Sequence, residues 1–409
     1  MTFYLVLGVL SALATLCAVI KARRLSHAVP LYFMVAWLTG ELAFIHVAWQ
    51  LLLTLLVVVF AGFEPDAVRW GLGFFLFSWA GLLYLHQQSM SSGAVLEKAL
   101  RDTLGVNYRG DIPLARQGVV DQGLDSRDWL RPFSMSRPGV RVHRNISYGE
   151  HGKRNLLDIY QPESPREGGF PVLLQIHGGG WMIGEKHQQA LPLMYHLAQR
   201  GWLCVACNYR LSPKAAFPDH IVDVKRSIAW IREQAAEYGG NPDFLAVTGG
   251  SAGGHLTALT ALTQNYAPWQ PGFEEVDTSV SAAVPFYGVF DFLDRDNLRP
   301  GMSMEGVLAK YVMQCSPRDE RERWEEASPL SHVGPDAPPM FVVQGTHDSL
   351  VWVEEARNFV GRLRGVSDQV VVYGELPGAQ HAFEVFHSVR TDQTIVSVTA
   401  FLEWCHARG

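Results

Sequence analysis

Thr2 to Ile20 is a run of 19 residues without a single charge. At about 1.5 Å per residue, a helix of that length nearly crosses a hydrocarbon layer of about 30 Å. A secretory leader carries its positive charges ahead of the apolar stretch, whereas here Lys21, Arg23 and Arg24 follow it. Two more apolar segments come next, Pro30 to Phe63 and Trp70 to Leu85, the former interrupted at Gly40 and Glu41. The pattern reads as a membrane anchor occupying residues 1–90. Three crossings are expected, with Leu42 to Phe60 as the middle span and Leu31 to Gly40 either extending it or lying along the interface. Buried helices of a soluble domain are the alternative, but uncharged runs of this length are rare outside bilayers.

Charge separates this region from the rest. Of 34 Lys and Arg and 40 Asp and Glu, only Lys21, Arg23, Arg24, Glu41, Glu64, Asp66 and Arg69 fall within residues 1–90. Positive loops stay on the cytoplasmic side, so the cluster at Lys21, Arg23 and Arg24 puts the first loop inside, and three crossings return the chain to the cytoplasm. A fourth crossing would invert that orientation. Glu41 and His46 lie inside the apolar region and require partners. The net charge of −6 leaves no basic footprint, so nucleic acid is not an expected partner. The five cysteines lack the spacing of a disulfide framework or a zinc site. Cys204 and Cys207 fall in a strand-like segment, where i and i+3 point to opposite faces, so they read as core thiols.

Residues 91–138 are mixed in charge and aperiodic, a connector able to cover a site. From 139 to 409 short apolar or β-branched runs alternate with amphipathic ones, which predicts a mostly parallel eight-stranded sheet flanked by helices, an α/β fold. The expected strands are Val142–Tyr148, Leu156–Tyr160, Val172–His177, Leu203–Tyr209, Phe244–Thr248, Ala282–Tyr287, Met340–Gln344 and Val370–Glu375. In Pro218–Glu237, Ile221, Val224, Ile228, Ile231 and Ala235 fall three or four apart, predicting a helix. Helical patterns also cover Leu191–Gln199, Ala252–Thr263, Val353–Leu363 and Thr394–His406. Residues 290–337 break the rhythm and read as a lid-like insertion over the strand ends.

Ligands of an open parallel sheet bind beyond the carboxyl ends of its strands, and three such places carry reactive groups. The strand FLAVT runs into Gly249, Gly250, Ser251, Ala252 and Gly253, with a helix at once afterwards. That Gly-x-Ser-x-Gly string on a strand-to-helix turn suits a nucleophilic serine. His177, Gly178, Gly179, Gly180 and Trp181 follow the strand VLLQI, and successive glycines let backbone N–H groups face a substrate. The N–H groups of Gly179, Gly180 and Ala252 are the expected oxyanion donors. A serine needs a base, and the base needs a carboxylate. His381, just past the last strand, and Asp348, just past MFVVQ, fit best. His347 and His387 rival the former; Asp291 and Asp294 rival the latter.

Three motifs in this order, HGGGW at His177–Trp181, NYRLSP at Asn208–Pro213 and GGSAGGH at Gly249–His255, resemble the α/β-hydrolase superfamily, and within it the hormone-sensitive-lipase-like esterases. The resemblance covers about residues 145–405. It implies a carboxylester hydrolase acting on a small-molecule or lipid-like ester through an acyl-enzyme on Ser251, without metal or organic cofactor. It also implies that His177, Gly178 and Trp181 support the glycine loop and that His177 is not the base. One departure is Gly250, where the best-known members carry Asp or Glu. Isoprenylcysteine methylesterases and arylformamidases share the loop and the serine turn, so both stay open as alternatives, as does a binding protein that has lost its chemistry. Acyl length, alcohol moiety and oligomeric state leave no mark in the sequence.

Overall fold

A computed structural model describes residues 1–21, 29–121, 125–300 and 304–409; Arg23 and Arg24 of the orientation cluster lie outside the described residues. The N-terminal region forms α1 (Thr2–Val19), α2 (Val29–Glu41), α3 (Ala43–Ala61) and α4 (Asp66–Leu104). Among the described residues, α1, α3 and α4 are long and apolar enough to cross a membrane. The 13 residues of α2 reach only about 20 Å, too short to span. Leu42 breaks the helix before α3, so residues 31–40 do not extend the middle span. Small residues let α1 and α4 approach closely: a Cβ on Gly8 would sit 2.9 Å from the Gly71 carbonyl oxygen. Hydroxyl pairs tie α1 to both of its neighbours, Tyr4–Thr54 at 3.0 Å to α3 and Thr15–Ser78 at 2.8 Å to α4. Phe3, Leu10, Leu55, Val59, Phe60 and Leu83 point outward, as lipid-facing side chains would.

Helix α4 runs unbroken past residue 90, where a change of unit is expected, and its second half enters the core of the sheet domain. Leu96 and Leu100 are fully buried there. Beyond it lie α5 (Leu114–Asp121) and the eight strands β1 (Val140–Ser147), β2 (Leu156–Pro162), β3 (Phe170–Ile176), β4 (Leu203–Cys207), β5 (Gly240–Gly250), β6 (Ala282–Phe286), β7 (Met340–Gly345) and β8 (Val371–Leu376). Their order is β1-β2-β4-β3-β5-β6-β7-β8. β2 is antiparallel to both neighbours and every other pairing is parallel, so each predicted strand is present and the sheet is mostly parallel. A Cβ on Gly374 of β8 would fall 2.4 Å from Leu96, so glycine there is what lets α4 lie against the sheet.

Side chains alternate between two cores, as strand geometry requires. Val172, Leu174 and Ile176 of β3 pack with α7 (Asp219–Gln234) and α8 (Ala252–Leu262); Leu173 packs with α6 (Leu191–Ala198) and α12 (Val389–His406). Cys204 and Cys207 divide between the same two cores, as buried free thiols. α12 starts at Val389, earlier than its hydrophobic period indicates, because Ser388 caps it by accepting from the Thr391 N–H. Between β6 and β7, the π-helical turn Leu308–Val312 that follows α9 (Glu305–Val307) brings Leu308 and Val312 into the first core, and α10 (Arg321–Glu326) brings Trp324. α11 (Val353–Arg364) completes the flanking helices.

The helical bundle and the sheet domain are joined through a buried ion pair. Glu41 at the end of α2 pairs with Arg390 of α12 and accepts from the Ser388 hydroxyl at 3.0 Å; Arg390 also donates to the Pro377 carbonyl at 3.0 Å. Lys21 Nζ lies 3.9 Å from Glu354 on α11, so the end of α1 and the sheet domain occupy the same side of the bundle. Removing one partner of such a pair strands the other charge. Glu41→Ala is expected to destabilise the detergent-solubilised protein by about 3–5 kcal/mol, seen as a lower melting temperature. An unchanged melting temperature would contradict this reading of the junction.

Candidate active site

Ser251 stands alone between β5 and α8 with φ 60° and ψ −122°. A non-glycine residue held there carries strain of about 1–3 kcal/mol and persists only when its surroundings over-determine it. Its N–H donates to the Phe286 carbonyl at 3.0 Å and its carbonyl accepts from the His255 N–H at 2.9 Å. The turn is also crowded. A Cβ on Gly249 would lie 2.5 Å from the Ile176 carbonyl oxygen, and one on Gly253 2.1 Å from the same atom. A Cβ on Gly178 would meet the Gly250 oxygen at 2.5 Å and Ser251 Cβ at 3.1 Å, so the glycine loop and the serine turn touch.

That loop, directly after β3, turns through three successive positive φ values: Gly179 at 115°, Gly180 at 59° and Trp181 at 61°. His177 braces it from below. Its ring stacks on Tyr209 at 4.4 Å, its Nδ1 lies 2.7 Å from the Gly178 oxygen, and the Tyr209 hydroxyl donates to its carbonyl at 2.9 Å. The Gly178 N–H donates to Gln189 Oε1 at 2.6 Å. Among the described residues, the N–H groups of Gly179, Gly180 and Ala252 have no acceptor. Burial drives the His177 pKa down to about 4, which keeps the ring neutral.

Trp181 carries the loop's other anchor. Its indole donates to His255 Nδ1 at 3.2 Å, and His255 Nε2 lies 2.7 Å from the Ala327 carbonyl oxygen, so the proton of that neutral imidazole is on Nε2. His255 also stacks on Phe292 at 4.6 Å. Phe292 and Ala327 are thereby fixed to the glycine loop through one imidazole. Burial lowers the His255 pKa to about 4 as well.

Asp348 and His381 meet beyond β7 and β8. His381 Nδ1 is 2.7 Å from Asp348 Oδ2. The same oxygen accepts from Gln344 Nε2 at 3.1 Å, while Oδ1 accepts the N–H groups of Leu350 and Val351, each at 2.8 Å. With Nδ1–H committed to the carboxylate, Nε2 is left as an acceptor. Gln380 Oε1 steadies both loops, accepting from the Ser349 N–H at 2.7 Å and the His381 N–H at 3.0 Å.

The rival residues are occupied elsewhere. His387 pairs with Asp392 at 2.8 Å and its Nε2 lies 2.8 Å from Arg137 of the connector. His347 is half-buried, with Nδ1 3.3 Å from its neighbour Thr346. Asp291 binds Arg295, and Asp294 accepts the Leu298 N–H at 2.7 Å. Two groups at the site escaped the sequence reading. Tyr287, with φ 35°, lies 4.4 Å from the His381 ring, and a Cβ on Gly250 would come 2.5 Å from its hydroxyl. Its hydroxyl takes the space a side chain before Ser251 would need, which is the physical reason for the departure at Gly250. Burial, then the Glu384 carboxylate, holds its phenol well above the usual range. Its place at the carboxyl end of β6 was the available signal. Phe33 of α2, 6.1 Å from the His381 ring, had none.

Residues 157–363 match the BD-FAE family. The chain is 46% identical over 346 residues to the probable carboxylic ester hydrolase LipM of Mycobacterium tuberculosis, covering 81% of this chain and 77% of that one. Esterase LipQ of the same organism is 44% identical, covering 77% and 75%. An isoprenylcysteine alpha-carbonyl methylesterase of Arabidopsis thaliana is 28% identical, covering 57% and 55%. Among solved structures, propionate-bound esterase Est2 of Thermogutta terrifontis superposes with a TM-score of 0.52 at 25% identity, covering 64% of this chain and 92% of that one.

Because His177 and His255 have pKa values near 4 in the folded chain and about 6.5 when unfolded, the unfolded state binds more protons between those limits. Stability is therefore expected to fall as pH drops from about 6.5 to 4. His255→Gln, which can still accept from Trp181 and donate to Ala327, should show a shallower decline in melting temperature across that window. An equal slope would remove His255 from this account.

Proposed function

Since the chain belongs to the BD-FAE family of hormone-sensitive-lipase-like α/β-hydrolases and is a carboxylic ester hydrolase, we propose that it is a membrane-anchored serine esterase with Ser251 as nucleophile, His381 as base and Asp348 as the group that orients it. The observation carrying this reading is the 2.7 Å bond from His381 to a buried carboxylate already held by three other donors. An imidazole so restrained has one nitrogen available, and it is the basic one.

In the proposed reaction Ser251 Oγ attacks the ester carbonyl as its proton passes to His381 Nε2. The imidazolium is stabilised by Asp348, and the carbonyl oxygen, now negative, is met by the N–H groups of Gly179, Gly180 and Ala252. His381 then returns the proton to the departing alkoxide, and the alcohol leaves an acyl-Ser251. Water attacks that acyl group with the same nitrogen as base, releasing the acid. The neutral His177 adds no charge that would compete with this relay.

Anchoring through α1, α3 and α4 accords with their length and apolar outer faces. With Lys21 at the end of α1 beside α11, the end of α1 and the sheet domain share a side, which the positive-inside rule makes cytoplasmic given the basic residues that follow α1 in the sequence. Higher identity over more of the chain favours the LipM-like reading over the methylesterase alternative.

Ser251→Ala is expected to abolish ester hydrolysis and labelling by a fluorophosphonate probe; labelling retained at another serine would overturn the assignment and, if labelling is absent even before substitution, the binding-protein alternative gains. Asp348→Asn, which favours the wrong tautomer of His381, should lower kcat by about 10⁴-fold with little change in KM. Faster turnover of a formamide than of its matched ester would shift the reading to an arylformamidase-like reaction.

A further inference from the structure

Helix α2 does more than connect two spans. Only Leu42 separates it from α3, so it lies where the apolar bundle meets the sheet domain. Its Phe33 approaches the His381 ring edge-on, with centroids 6.1 Å apart at 77°. One turn later Trp37 stacks on Phe33 at 5.5 Å and packs against Phe386 at 5.2 Å, in the segment that follows His381. The buried Glu41–Arg390 pair and the Ser388 bond hold the end of the helix against α12. Met34, on the helix face beside Trp37, is 44% exposed, so an apolar strip continues from the aromatic pair at the His381 ring onto the outside of α2.

The direction of proton transfer says which part of an ester this strip meets. His381 Nε2 gives its proton to the leaving oxygen, so the alcohol moiety must lie beside the imidazole when the bond breaks. The acyl chain is covalently tied to Ser251 and has no such requirement. We propose that Phe33, Met34 and Trp37 of α2 form the wall of the alcohol subsite, and that the enzyme prefers esters of long apolar alcohols presented at the bilayer. This rests on the assignment of Ser251 and His381 above. The anchor then supplies specificity as well as location.

The test uses the full-length protein in lipid nanodiscs. Acetate release from hexadecyl acetate and from butyl acetate gives a ratio of kcat/KM that varies the alcohol alone, while both substrates pass through the same acetyl-enzyme. Phe33→Ala is expected to lower that ratio by about ten-fold or more, with Phe33→Leu restoring much of it. Met34→Ser, at a half-exposed position that the fold tolerates, should lower it in the same direction. The matching ratio for p-nitrophenyl palmitate over p-nitrophenyl butyrate, which varies the acyl chain alone, should stay within about two-fold. An unmoved alcohol ratio in both Phe33→Ala and Met34→Ser overturns the proposal, and so does an acyl ratio that moves as far. Fluorophosphonate labelling is followed in each variant: its absence from the unsubstituted protein would strike the Ser251 assignment instead, an outcome the ratios cannot mimic.

Discussion

The carbonyl oxygen of Ile176, at the end of β3, occupies the space that a Cβ on either Gly249 or Gly253 would need. Everything at the site depends on that approach. It draws the end of β5 and the start of α8 onto β3, which obliges the chain to turn sharply at Ser251 and to accept a positive φ there. The glycine loop leaves β3 from the next residue, so the same contact sets the serine turn and the free N–H groups side by side. Strain at one residue is tolerable because the parallel register of β3, β5 and β6 holds both flanks.

Burial then assigns different states to the histidines. His177 and His255 are enclosed without a carboxylate partner, and desolvation keeps them neutral, so they serve as braces that stack and hydrogen-bond. His381 is enclosed too, but with its Nδ1 2.7 Å from the Asp348 carboxylate. One residue type thus sits in two environments, and the difference lies in whether a carboxylate shares the enclosure. Tyr287 bridges the two halves, touching the serine turn through Gly250 and the His381 ring directly.

The apolar helices and the sheet domain share one body. α4 passes from the apolar bundle into the second core without a break, and Gly374 makes room for it. Close by, past the end of β8, α2 is pinned by Glu41 and Arg390. A charge inside an apolar run is costly unless it is paired, and here the pair closes the junction between the two regions. Glu41 is therefore buried and paired.

Local chemistry made much of this readable from the chain itself. Apolar run lengths identify the bundle, a two-residue alternation identifies the strands, and glycines flanking Ser251 mark a turn because no other residue fits against a neighbouring backbone. His381 and Asp348 could be nominated together from the sequence since the carboxyl ends of parallel strands are where a sheet is open. What only the tertiary structure decided are the contacts between segments without a shared period or motif: Phe33 beside His381, Arg390 against Glu41, Tyr287 filling the space at Gly250. Such contacts depend on where whole helices come to rest, which is set by packing summed over many residues, and no short stretch of sequence encodes that sum.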